Sequence, residues 1–343
     1  MSETPAPLSE RVAAPTELRL PSHPLVVDWH PVTGADHDAL VALDHAIGTA
    51  DHPNYLPTRE EVLEEYDISH VEPALDSLIG YDADGRAIAH GLVVCPPGRE
   101  TLVRSILFGG VHPDARGLGI GRELLAWQVG RARQQLAASD ARLPGWIVVY
   151  ADDRATRTGP MVRRAGFAPA RYFLGLERVL ADPIDDGGDP DGVRLAPYDP
   201  SFSEAALAAR NDAFRDHWGS QSMSAEQWSR FTGSDVFRAD LSVVAADADG
   251  RVAGFVLAEV NEEDWARQGF SGTYVGLVGV VRDARGRGIA RALLARHLDA
   301  ARAAGLERSV LDVDSDSPTG ALGLYTGMGY APTQRETSYT IVL

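Results

Sequence analysis

Apolar spacing changes repeatedly along the second half of the chain, and each change marks an element. Val193 to Tyr198 (VRLAPY) reads as a first strand and residues 203–214 as a helix. The polar stretch DHWGSQSMS predicts a loop, and a second helix starts near Ala225. LSVVAAD and VAGFVLAEV are strand-like runs separated by the turn sequence DADG. TYVGLVGVV predicts a fourth strand that runs directly into a glycine-rich motif. Behind the motif, Ile289, Leu293, Leu294 and Leu298 recur at the helical period, predicting a helix with one buried face. SVLDVD predicts another strand, residues 319–326 a helix, and a final pair of strands closes the half. Helices packed on a mixed, mostly antiparallel sheet predict an α/β (α+β) fold.

The same order occurs earlier in the chain. LFGGVHPDARGLGIGRELLAWQVGRAR starts at Leu107, and VGLVGVVRDARGRGIARALLARHLDAAR starts at Val275. The two lie about 170 residues apart, half of the 343-residue chain, as an internal duplication requires. Between them ADPIDDGGDPDG is dense in Asp, Gly and Pro, the composition of a linker. The expected organisation is a disordered tail (1–21), a first domain (22–181), a linker (182–192) and a second domain (193–343).

Where the fourth strand of the second half meets its helix, R-G-R-G-I-A places Gly286 and Gly288 at the junction. Glycines without a Cβ let a ligand approach the backbone, and the helix start offers unpaired N–H groups at its positive end. Arg285, Arg287 and Arg291 add charge around it, which suits a pyrophosphate. The G-x-G spacing late in each half does not fit the dinucleotide fingerprint G-x-G-x-x-G, which comes after a first strand. Many glycine turns are purely structural; repetition with arginines at the same junction favours the anion-binding reading.

With these motifs the chain resembles the GCN5-related N-acetyltransferase (GNAT) superfamily, as two tandem copies. That superfamily's acetyl-CoA motif, R/Q-x-x-G-x-G/A, falls on Asp114 to Gly119 and on Asp283 to Gly288, with Asp in the first position of both. Its second signature falls on LDVDSDSPTGALGLYTGMGY, Leu311 to Tyr330. The resemblance implies acetyl-CoA as co-substrate. Its contacts are expected at Val280, Val281, Arg285, Gly286, Arg287, Gly288, Ile289, Ala290, Arg291 and Ser317. A second cofactor site is expected at Val111, Arg116, Gly117, Gly119, Gly121 and Arg122.

The halves differ where chemistry is implied. Tyr325 stands four residues before Gly329-Tyr330, whereas Val162 stands four before Gly166-Phe167. In the superfamily that tyrosine often protonates the departing thiolate, which valine cannot do; a plain core aromatic is the competing reading. The first half, with Gly-Pro in the corresponding helix, reads as a degenerate copy. The resemblance also implies a pantetheine arm between splayed fourth and fifth strands, and a backbone N–H near Val280 or Val281 polarising the thioester carbonyl. Glu259, at the end of the third strand, is the candidate base, against a solvated edge charge. Asp212, His217 and Trp218 lie in the helix-loop-helix region that shapes the acceptor pocket in this superfamily.

The implied reaction is acetyl transfer to a primary amine of a small molecule by direct attack in a ternary complex. The tandem layout is similar to the mycothiol synthases, which acetylate an amine on a cysteinyl pseudodisaccharide, although Tyr274 falls where their catalytic glutamate is expected. A non-catalytic acyl-CoA-binding scaffold and a protein-lysine acetylase are the other readings.

Composition narrows the classes further. A net charge of −17 opposes nucleic-acid binding, and no apolar run approaches a membrane span. All 32 basic residues are arginine, which excludes a lysine Schiff base and a P-loop. The ten histidines show no H-E-x-x-H, and with one cysteine, Cys95, no metal site and no internal disulfide are expected. The N-terminus has neither a basic start nor an apolar h-region, so no signal peptide is expected and a cytoplasmic location is. Oligomeric state stays open.

Overall fold

The computed structural model describes residues 5–51, 56–184 and 187–343. The chain forms two compact units, Met1–Arg171 with Glu336–Leu343, and Tyr172–Arg335. The first contains α1 (Leu8–Arg11), β1 (Asp28–His30), α2 (His37–Asp51), α3 (Arg59–Asp67), α4 (Pro73–Asp76), β2 (Ser77–Tyr81), β3 (Ala87–Val94), β4 (Val103–Val111), α5 (Ile120–Ala137), β5 (Gly145–Asp152), α6 (Thr158–Arg164) and the start of β6 (Ala168–Val179). The second continues with the rest of β6, β7 (Arg194–Pro197), α7 (Ser203–Ala213), α8 (Ala225–Gly233), β8 (Val243–Ala246), β9 (Val252–Glu259), α9 (Trp265–Gln268), β10 (Gly272–Val280), α10 (Ile289–Ala303), β11 (Arg308–Asp314), α11 (Ala321–Gly327) and the start of β12 (Ala331–Val342), whose remainder belongs to the first.

In each unit the strands run antiparallel in sequence order until a parallel pair, β4 with β5 and β10 with β11. The helix between the parallel strands is the crossover that such a pair needs. Each sheet is then closed by a strand from the other half of the sequence. Residues 336–342 of β12 pair with β5, and residues 173–179 of β6 pair with β11. The class is the α/β fold the apolar pattern predicts.

In the second unit a Cβ built on Gly254 would meet Ile289 and Leu293 of α10, whereas one on Gly279 would meet Ala213 of α7. Helices thus cover both faces of the sheet. Ile289, Leu293, Leu294 and Leu298 are each at most 1% exposed, the stripe their spacing predicts. Each contributes roughly 1.5–3 kcal/mol by burial.

Two expected segments differ. Of the tail expected over residues 1–21, residues 1–4 lie outside the described residues, but α1 and its neighbours are folded. Leu8 is fully buried and its N–H donates to the Ala141 carbonyl at 3.0 Å. Leu8 and Val12, four apart, give the segment an apolar face that polar neighbours hide in the sequence. The stretch expected as a linker falls within the second unit, although residues 185 and 186 lie outside the described residues. There its acidic and carbonyl groups meet α10 and the loop before it: Arg296 pairs with Asp189 at 3.3 Å, and Arg287 donates to the Asp191 carbonyl.

Candidate active site

The two parallel strands of the second unit pair only at their start, Gly272–Tyr274 against Arg308–Val310. Beyond that point β10 stays with β9, with an irregularity between Val275 and Leu277 that leaves Gly276 without a partner in the register. A bulge of this kind bends a strand away from its neighbour. Tyr274 Oη donates to Asp312 Oδ2 at 2.9 Å, a strut across the fork. Val281 donates its N–H to the Ala253 carbonyl at 2.9 Å. This corrects the expectation that Val281 could polarise a thioester, since its donor is taken. Because strand residues alternate their backbone direction, the Val280 N–H points away from β9, toward the fork.

The fork opens onto the glycine loop. Gly286 and Gly288 both have φ of +77°, the left-handed region where a Cβ is costly, and a Cβ at either would meet no atom within 4 Å. Gly288 caps α10, and the first turn of a helix has no internal acceptors for its N–H groups. The cradle is therefore a row of donors facing open space at a helix's positive end, which fits a pyrophosphate. The side chain of Ile289 is buried, so only its backbone serves the cradle. Ala290 and Arg291 are half-buried; Arg291 lines a cavity of about 230 Å³ with Arg178, Leu298 and Met328. The guanidinium of Arg285 turns elsewhere, to Asp216 at 2.9 Å and the Ala213 carbonyl at 2.9 Å. Ser317 is half-buried in the loop before α11, with Oγ 2.8 Å from Thr319 Oγ1.

Tyr325 lies on α11, 7% exposed, with its ring edge-on to Tyr330 at 5.9 Å. Burial pushes its phenol well above the usual value, so it keeps its proton at neutral pH. Glu259 ends β9 half-buried, and a Cβ on Gly276 would come within 3.0 Å of its Oε2; the carboxylate therefore overlies the bulge at the root of the fork. His217 stacks on Phe214 with ring centroids 4.4 Å apart. Burial holds its imidazole below the usual value, opposed by the nearby charge of Asp314. Trp218 comes next in the chain, half-buried. Asp212 is tied to the loop, its Oδ2 accepting the Arg282 N–H at 2.9 Å. Sequence reasoning missed Asp216, Asp314 and a buried chain in which Tyr330 Oη, Ser309 Oγ and His297 Nε2 are linked at 2.8 and 3.3 Å. Their signals are partner identities, which spacing does not carry.

The first unit has the same fork, β4 pairing with β5 only from Val103 to Ile106. Its loop is filled differently. Gly117 and Gly119 have φ of +79° and +106°, but a Cβ on Gly117 would lie 2.2 Å from the Arg157 guanidinium. His23 Nε2 lies 2.9 Å from the Leu118 carbonyl, and Arg116 is held by Asp51. The Val111 carbonyl accepts from Arg116 at 2.9 Å, Gly121 packs near Met161, and Arg122 lies 3.4 Å from Glu123. Both copies also explain the aspartate that opens the loop motif: Asp114 pairs with Arg86 at 3.0 Å and Asp283 with Arg251 at 2.8 Å. Val162 is fully buried where the second unit has Tyr325. Among the described residues no group of three metal-binding side chains converges, and no helix is long and apolar enough to cross a membrane.

The acetyltransferase (GNAT) family profile matches residues 204–330, from α7 to just past α11. A mycothiol acetyltransferase of Tsukamurella paurometabola is 32% identical over 257 residues, 73% of this chain and 81% of that protein. Among solved structures, a GCN5-related N-acetyltransferase from Sphaerobacter thermophilus superposes with a TM-score of 0.68 at 24% identity, over 92% of this chain and 95% of that one. A tandem GNAT protein from the clavulanic acid biosynthesis pathway gives 0.66 at 14% identity, over 92% and 98%. With the fork, the glycine cradle and two copies of the fold in place, the chain belongs to the GNAT acetyltransferase family and is an acyltransferase.

Proposed function

We propose that the second unit transfers an acetyl group from acetyl-CoA to a primary amine of a small molecule, by direct attack within a ternary complex. The observation that carries this is the open glycine cradle at the mouth of the β10–β11 fork, present in the unit that has Tyr325 and filled by Arg157 in the unit that lacks it. Acetyl-CoA, when bound, supplies an acetyl group activated as a thioester. The backbone N–H groups from Gly286 onward hold its phosphate charge. The Val280 N–H faces the fork and donates to the carbonyl oxygen that gains charge during attack. Glu259, over the Gly276 bulge, accepts the proton that the attacking amine must lose. Tyr325, held protonated by burial, donates to the departing sulfur. Asp212, His217 and Trp218 form the acceptor side, with Asp212 acting through its bond to Arg282.

Thiol release from acetyl-CoA, measured with a panel of primary amines that includes mycothiol precursors, tests the reading. With an accepted amine, Tyr325→Phe should lower kcat about 100-fold or more while acetyl-CoA affinity holds. Full activity in that variant removes the acid role. Binding without turnover for every amine would favour the non-catalytic scaffold.

A further inference from the structure

One set of contacts is repeated in both units although the residues around it have diverged. In the first, Arg116 donates Nε to the Val111 carbonyl at 2.9 Å, and its two terminal nitrogens reach Asp51 at 2.6 and 2.9 Å. Asp51 is the last residue of α2. In the second, Arg285 takes the same step: Nε to the Val280 carbonyl at 3.3 Å and Nη1 to Asp216 at 2.9 Å. Asp216 ends the short turn Phe214–Asp216 that extends α7. Strand end, glycine loop and helix end are thus fastened at one point in each copy. The fastening survives in the unit that has lost the tyrosine and filled its cradle.

The second unit adds more. Arg282 also binds Asp216, through Nε at 3.1 Å and through Nη2. Asp212 accepts the Arg282 N–H at 2.9 Å, and Arg285 donates to the Ala213 carbonyl at 2.9 Å. Segment 212–216 therefore hangs on the two arginines that open the glycine loop, and His217 and Trp218 come directly after it. Single pairs this exposed are weak, since the Asp216 side chain is 34% exposed, but a carboxylate shared by two arginines is a network.

We propose that Asp216 is a positioning residue that couples the two substrate sites of the second unit, locking the acceptor-side segment 212–218 to the loop that receives the acyl-CoA phosphates. The inference rests on the cofactor reading of that loop. An anion that fixes residues 282–288 restricts whatever hangs on Arg282 and Arg285, so the acceptor then meets an ordered wall and loses less entropy on binding.

Amide hydrogen exchange of the full chain, with and without saturating acetyl-CoA, tests it. The wild type should exchange more slowly with ligand both at residues 286–292 and at residues 212–220, the latter by about five-fold or more. Asp216→Asn should keep the slowing at 286–292 and lose it at 212–220, Asp216→Glu should restore part, and Asp51→Asn should leave the second unit's response intact. Slowing confined to 286–292 in the wild type overturns the coupling. So does an Asp216→Asn variant that responds fully in both segments. Slowing in neither segment instead removes the cofactor reading, and the coupling with it.

Discussion

His297 on α10 is fully buried, with Nδ1 2.8 Å from the Leu241 carbonyl and Nε2 3.3 Å from Ser309 Oγ. A carbonyl only accepts, so Nδ1 carries the proton and Nε2 accepts from the serine. Burial pulls the imidazole down to about 4. The unfolded chain, near 6.5, binds a proton that the folded chain refuses between those values. This residue's contribution is therefore complete above pH 6.5 and lost as pH falls toward 4, roughly 3 kcal/mol at most. Denaturant unfolding at pH 7 and pH 4.5 should show a steeper loss in the wild type than in His297→Gln. Equal losses would contradict the buried neutral state. Tyr330, linked to the same serine, is pushed up to about 12 by burial.

Among elements, the β10–loop–α10 unit carries the clearest sequence signal, because an apolar run, two glycines and a 3.6-residue stripe all agree. Gly288→Trp should fold at a cost of about 1 kcal/mol or more at its positive φ and lose acetyl-CoA binding by at least about ten-fold, which calorimetry reads directly. Unchanged affinity would place the phosphates elsewhere. What was less legible depends on distant partners. Arg285 reads as a phosphate ligand because it adjoins the glycines, yet Asp216 lies 69 residues away in sequence. The Val281 N–H reads as a catalytic donor until its bond to Ala253 is seen. Arg157, which fills the first unit's cradle, stands 40 residues past Gly117 with no pattern linking them.

For the molecule as a whole, the exchange of β6 and β12 is the feature that no local pattern carries. After the helix at 319–326 the sequence predicts a closing pair of strands for the second half, whereas one continuous strand, β12, forms there, and periodicity does not say which sheet a strand joins. Deleting residues 336–343 would strip β5 of the partner it has along residues 146–152. Exchange at 145–152 should then accelerate while acetyl-CoA binding by the second unit persists; unchanged protection would argue that β12 contributes little there. The central claim, that the second copy is the one that receives the cofactor, is met most directly by calorimetric titration of acetyl-CoA into the whole protein. One site per chain, abolished by Gly288→Trp, is the expected result. No binding at millimolar ligand, or binding that survives that substitution, would contradict it.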